Sequence, residues 1–195
     1  MSDSATNTLI LEGIVTTINC DGTLNVSPMG PIVENDFQRI TLRPFKTSTT
    51  YRNLTRTREG VLHVTDDVLL MAQAAVGQPE PPPKSFAARR VNGQVLADTC
   101  RWYEFRVTDV DDADERTRLT CDIVHAESLR AFWGFNRAKH AVLEAAILAT
   151  RLHILPAGEV HEKMQELTVL VEKTGGRQEH LAFRFLLEYI ERRSC

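Results

Sequence analysis

The sequence predicts an α+β protein, with a β-rich part over residues 1–135 and a helical part over 136–195. Two observations carry this. Short runs rich in Ile, Val and Thr, separated by turn signals, recur up to about residue 125, and such side chains fit a pleat better than a helix. From Asn136 onward the pattern changes to strong helix formers with apolar residues at helical spacing.

The elements follow in chain order. Residues 1–8 are polar and are expected to form a disordered N-terminus without a signal peptide. Residues 9–18 read as one strand, and Asn19-Cys20-Asp21-Gly22 as hairpin punctuation. Two further strands, 24–27 and 31–33, bracket a turn at Pro28-Met29-Gly30. Alternation over 39–43 turns Ile40 and Leu42 toward a core, with Arg39, Thr41 and Arg43 outward. A short helix is expected near Tyr51–Leu54, then a strand at 61–64. Thr65-Asp66-Asp67 supplies an N-cap for a helix over 68–75. Residues 77–84 hold four prolines and form a stiff connector. Residues 101–110 and 116–125 make a hairpin around the acidic tip 111–115. Helices are then predicted over 138–152, 159–173 and 178–193. The expected division is a barrel domain at 9–135 and a helical domain at 136–195.

A chain of 195 residues with 43% hydrophobic and 25% charged residues has the balance of an ordinary globular protein. A net charge of −3 gives no general attraction to nucleic acid, and no apolar run approaches the ~20 residues needed to span a bilayer. Cys20, Cys100, Cys121 and Cys195 are scattered singly, which suits reduced thiols in a cytoplasmic protein. His63, His125, His153, His161 and His180 share no ligand spacing, so no metal is expected. No hydrolase motif is present.

Two segments carry candidate chemistry. Arg43 and Lys46, followed by Thr47, Ser48, Thr49 and Thr50, place cations and hydroxyl donors just before a helix start, an arrangement suited to phosphate. The same residues would also serve merely to cap the helix. The segment Asn25-Val26-Ser27-Pro28-Met29-Gly30 would point main-chain groups at the edge of a flat polar ring. It also reads as a plain turn.

The order of these motifs, with Tyr51-Arg52-Asn53-Leu54 and the Val-rich strand that follows, resembles the FMN-binding split-barrel superfamily. The flavin reductase-like branch is the most similar over about residues 9–125. A narrower resemblance, to a small uncharacterised family with an appended helical domain, rests on Asn136-Arg137-Ala138 and Thr150-Arg151. The resemblance implies a six-stranded antiparallel split β-barrel of Greek-key character, followed by three C-terminal helices, with FMN as cofactor. It implies a cofactor-binding set of Asn25, Val26, Ser27, Pro28 and Met29 at the ring, with Arg43, Lys46, Thr47, Ser48, Thr49 and Thr50 at the phosphate. Asn53 would organise the loop. Flavin reductases commonly carry a Lys-Asp-Thr-type triplet where this chain has Lys46-Thr47-Ser48-Thr49-Thr50, which leaves open which hydroxyl meets the phosphate.

The resemblance further implies a homodimer with FMN near the interface, and an oxidoreductase passing hydride between NADH or NADPH and flavin or a small substrate. The alternative is a non-catalytic flavin-binding or structural module whose helical domain covers the flavin. Arg137, His140, Glu144 and Arg151 form one polar stripe on an otherwise apolar helix, either lining a cleft or facing solvent.

Overall fold

The computed structural model describes residues 9–34 and 37–193, so the expected disordered stretch 1–8 and Cys195 lie outside the described residues. The chain divides into two units, Met1–Val64 with Lys84–Leu129 and Thr65–Pro83 with Arg130–Cys195.

The first unit is built on β1 (Leu9–Ile10), β2 (Gly13–Ile18), β3 (Leu24–Met29), β4 (Ile32–Val33), β5 (Arg39–Leu42), helix α1 (Thr49–Thr57) and β6 (Glu59–Val64). It continues, after helix α2 (Val68–Val76) of the other unit, with β7 (Ser85–Ala87), β8 (Gln94–Leu96), β9 (Arg101–Asp111) and β10 (Arg118–Ser128). Eight strands form one antiparallel sheet in the order β1-β4-β5-β10-β9-β6-β2-β3, and β7 and β8 make a separate hairpin. The expected six strands are corrected to eight. The run expected as one strand over 9–18 divides into β1 and β2, and the β7–β8 hairpin, with Asn92-Gly93 at its turn, was not among the expected elements.

The connections force the sheet to curl. The chain passes from β1 to β2 through Leu11 and Glu12 alone, although these strands stand first and seventh in the sheet. Six inter-strand spacings in a flat sheet would separate them by about 29 Å, whereas three extended residues reach only ~11 Å. Gly30 and Pro31 make the matching link from β3 to β4, and the Leu11 amide donates to the Pro31 carbonyl at 3.1 Å where the two links meet. A Cβ on Gly30 would lie 3.0 Å from Ile10 Cγ2, so this crossing favours glycine. The single strand expected over 9–18 is therefore broken, because its two halves belong to opposite ends of the sheet.

Inside the curl lie Val15, Ile40, Leu42, Leu62, Phe105 and Leu119, and Leu54 of α1 plugs the same core. The opposite face of β2, β6 and β9 is covered by the β7–β8 hairpin. Trp102, Val61, Val91 and Val95 pack there, and the Thr16 hydroxyl donates to the Gln94 carbonyl at 2.7 Å. His63 holds this layer. Its Nε2 accepts from the Leu96 amide at 3.0 Å, which leaves the proton on Nδ1 to donate to the Ile14 carbonyl at 3.1 Å. Complete burial pushes its pKa down to about 4.

A titration follows from His63. The folded state refuses a proton that the unfolded chain accepts near pH 6.5, so this contribution to stability is intact above about 6.5 and falls as pH drops toward 4. Between pH 7.5 and pH 5 the loss from His63 alone comes to about 2 kcal/mol. Urea unfolding at the two pH values checks this: His63→Gln is expected to show a smaller pH-dependent loss than the parent by about that amount.

The second unit contains α2, α3 (Arg137–Thr150), α4 (Ala157–Thr174) and α5 (Arg177–Arg193). The boundary expected at residue 136 thus differs from the contacts. Val68 and Ala72 of α2 are buried in one cluster with Ala141, Val142, Phe183 and Leu186, so α2 packs with the helical unit. Asp67 caps α2 as its sequence suggests, accepting from the Leu70 amide at 3.0 Å. The five helices among the described residues are therefore α1 in the first unit and four in the second.

Candidate functional site

Helix α1 starts where the two candidate segments converge. Ser48 is its N-cap, with Oγ accepting from the Tyr51 amide at 3.1 Å, and no acidic residue occupies the first turn. The positive end of the helix is thus uncompensated by its own residues, and the first-turn amides have no intrahelical partner. Thr50 is buried, and its Oγ1 accepts from Asn25 Nδ2 at 3.1 Å. Asn25 also donates to Thr17 Oγ1 at 3.1 Å. Asn53 donates to that same oxygen at 3.0 Å and to Asn19 Oδ1 at 2.8 Å. Thr17, Asn25, Thr50 and Asn53 therefore form one buried polar network tying β2 and β3 to α1. Asn53 lies within this buried network.

Ser48 and Thr50 accept hydrogen bonds in these pairings, as does Thr49 Oγ1 from Arg52 at 3.1 Å. Each hydroxyl accordingly retains its own proton to donate outward. Lys46 and Thr47 are exposed in the turn before the helix, where the Lys46 amide donates to the Glu115 carbonyl at 3.1 Å. The basic trio near this helix has other duties. Arg52 holds Thr49, Arg56 donates to the Ile18 carbonyl, and Arg58 closes the helix with a left-handed φ of 58°.

Arg43 supplies the strongest signal for a ligand. Its Nε is buried and has no hydrogen-bond partner among the described residues. Burial, then the charges of Arg116 and Arg118, shift its pKa down. Register explains the crowding. Leu42 pairs with Leu119 and Phe45 bridges Arg116, so Arg43 stands across from Arg118 on the face away from the core. Arg116 lies over the Phe45 ring at 5.8 Å, and Asp111 pairs with Arg118 on the next strand. Three arginines around one orphaned donor are a costly arrangement that an anion would relieve. Sequence reasoning missed Arg116 and Arg118, because only pairing across 70-odd residues brings them to Arg43.

The ring-edge segment needs correction. Asn25–Met29 is not a turn: it lies in β3, and only Gly30-Pro31 turns the chain. Pairing with β2 from Gly13↔Met29 to Ile18↔Leu24 overrides the local turn signals of Ser27 and Pro28. Yet β3 is the last strand of the sheet, so one edge of its backbone is not paired within the sheet. Pro28 is tolerated at such an edge. Val26 is buried, while Ser27, Pro28 and Met29 are half-buried.

A buried arginine N–H without a partner, a helix start and a strand edge bridged by Asn25–Thr50 fit a flat heterocycle carrying a phosphate. Arg137, His140, Glu144 and Arg151, the polar stripe on α3, are exposed.

Residues 11–130 match the family model described as the N-terminal domain of a protein of unknown function, DUF447, and residues 136–188 match the model of the C-terminal part. No curated protein sequence matches the chain. Among solved structures, an FMN-bound protein from Methanosarcina mazei of the same family matches with a TM-score of 0.77 at 24% identity, over 92% of this chain and 94% of that one. The flavin reductase of styrene monooxygenase from Pseudomonas putida matches at 0.51 and 10% identity, over 60% of this chain and 78% of that one. An NADH:FAD oxidoreductase from Streptomyces globisporus matches at 0.51 and 10%, over 60% and 75%. The fold is α+β, a curled antiparallel sheet of the flavin reductase-like kind with added helices.

Proposed function

This chain belongs to the DUF447 family, and we propose that it binds FMN and works as a flavin-dependent oxidoreductase fed by a reduced nicotinamide. The observation that carries the reading is the 3.1 Å hydrogen bond from Asn25 to Thr50, which joins the ring-edge strand to the phosphate corner. Arg43, Lys46 and the α1 start with Ser48, Thr49 and Thr50 hold the phosphate. Arg116 and Arg118 add positive potential. The main chain of Asn25–Met29 meets the ring, and FMN supplies two-electron storage, so no side-chain acid is required of the protein. The FMN named for the Methanosarcina mazei protein and the NADH named for the Streptomyces globisporus enzyme support this choice of cofactor and donor. Assembly as a homodimer with FMN near the interface, and a cytoplasmic location, belong to the same reading. No helix among the described residues is long and apolar enough to cross a membrane.

Purification of the full chain, an absorbance spectrum over the flavin bands and anaerobic titration with NADH and with NADPH test the proposal. A yellow protein bleached by one nicotinamide is expected. A colourless protein that ignores added FMN refutes flavin binding. Bound flavin reduced only by dithionite refutes the oxidoreductase and leaves a binding module.

A further inference from the structure

Arg43, Lys46, Arg116 and Arg118 gather where the chain enters α1 and the start of β10 lies alongside. Several exposed cations elsewhere are answered by carboxylates, as Arg39 is by Asp122 at 2.9 Å, Arg106 by Glu59 at 3.1 Å and Lys163 by Glu159 at 2.7 Å. None of the gathered cations has an ion pair among the described residues, although the acidic tip 111–115 adjoins them. The carboxylates of that tip have other partners. Asp111 accepts from the Ala113 amide at 3.2 Å, and Asp112 from the Tyr51 hydroxyl at 3.0 Å.

A phosphate monoester carries about two negative charges at neutral pH. Arg43 and Lys46 match the FMN phosphate in charge, which leaves Arg116 and Arg118 over. Both are exposed and flank the buried Thr117, so they share the outer face, with Arg43 across from Arg118. Between Arg43 and Lys46 in the chain, the Phe45 ring is 56% exposed, with the Arg116 guanidinium 5.8 Å from its centre. An open ring beside a guanidinium is a surface on which a purine stacks.

We propose that Arg116 and Arg118 hold the 2′-phosphate of NADPH, with its adenine on Phe45, and so select NADPH over NADH as the electron donor. This assignment rests on the flavin reading of the corner and names the donor left open there. The two dinucleotides differ only in that phosphate, which lies on the adenosine ribose. The donor gives up one hydride, with its electron pair, to the flavin and leaves as NADP+ with the phosphate intact. The second dianion therefore serves recognition, and its grip is felt in binding rather than in the chemical step. The choice departs from the NADH named for the Streptomyces globisporus enzyme.

Calorimetric titration of the FMN-saturated full chain with adenosine 2′,5′-bisphosphate and with 5′-AMP reads the phosphate without turnover. The bisphosphate is expected to bind at least roughly tenfold more tightly at low ionic strength, and the gap should narrow as salt is raised. Steady-state kinetics should place the KM for NADPH below that for NADH by a similar factor. In the double variant Arg116→Gln, Arg118→Gln this preference should be lost, and taking the ratio of the two KM values removes any effect on bound FMN. Phe45→Ala should raise both KM values alike, since adenine is common to both donors. All three positions are exposed, and circular dichroism verifies that the variants fold. Equal KM values in the parent, or a preference for NADPH that survives the double variant, would overturn the assignment and leave flavin binding standing. A protein that binds no FMN, or a bound flavin that neither nicotinamide reduces, would take down the flavin reading and the assignment together.

Discussion

Replacing Arg43 with alanine is expected to weaken FMN binding by roughly ten- to a hundredfold, because one charge-assisted hydrogen bond to the phosphate contributes about 1.5–3 kcal/mol. Riboflavin, which lacks the phosphate, should bind the variant as it binds the parent. The free protein gives an independent reading. Arg43 Nε is buried without a partner, and Arg116 and Arg118 press on it. Removing Arg43 therefore removes an unfavourable group, and the ligand-free variant should be no less stable than the parent, while FMN should raise its melting temperature less. Arg116→Ala, at an exposed position over Phe45, should show a smaller loss, one that shrinks further as salt is raised. Fluorescence quenching with FMN and riboflavin in parallel measures all of these. Equal loss for the two ligands in Arg43→Ala would remove the arginine from the phosphate and sink the site as drawn.

Glu104→Ala should cost about 3–5 kcal/mol of folding stability, the size expected when several buried donors lose their acceptor together. Glu104 sits on β9, wholly buried beneath the β7–β8 hairpin. Its carboxylate accepts from the Arg89 amide at 2.9 Å, the Arg90 amide at 2.5 Å, the Val91 amide at 3.2 Å and the Trp102 indole at 3.2 Å. Burial pushes its pKa up, but the hydrogen bonds from Arg89, Arg90 and Trp102, with the nearby His125, outweigh it and hold the group below the usual carboxylate range. The stability it lends is present above the unfolded carboxylate pKa and is lost as pH falls through the lowered value. At about 2–4 °C per kcal/mol for a chain of this size, the melting temperature should fall by roughly 10 °C. Glu104→Gln should recover only part, since an amide offers one acceptor oxygen and turns its own donors toward the loop amides. A shift under 1–2 °C in Glu104→Ala would show that water replaces the carboxylate and that the hairpin is not held from below.

The two predictions differ in how visible their residues were beforehand. Arg43 stood out because a cation before four hydroxyl residues is a local pattern. Glu104 sits in a run that reads only as a strand, and nothing nearby marks it as the anchor of a loop 13–15 residues upstream. The same divide runs through the fold. The helix cap at Asp67, the long β9–β10 hairpin and the terminal helices were legible from neighbours in the chain, since capping, turns and amphipathic spacing act over a few residues. The turn expected at Pro28 fell to pairing with β2, and the strand over 9–18 broke because its ends belong to opposite sides of the sheet.

Local order along the chain was thus enough to specify an α+β protein and most of its elements, and to single out the two candidate segments. Joining those segments required contacts between residues far apart: Asn25 with Thr50, Arg43 with Arg116 and Arg118, α2 with α3 and α5. Strand register and helix packing set such meetings, and both depend on the burial of whole faces rather than on any one residue's neighbours.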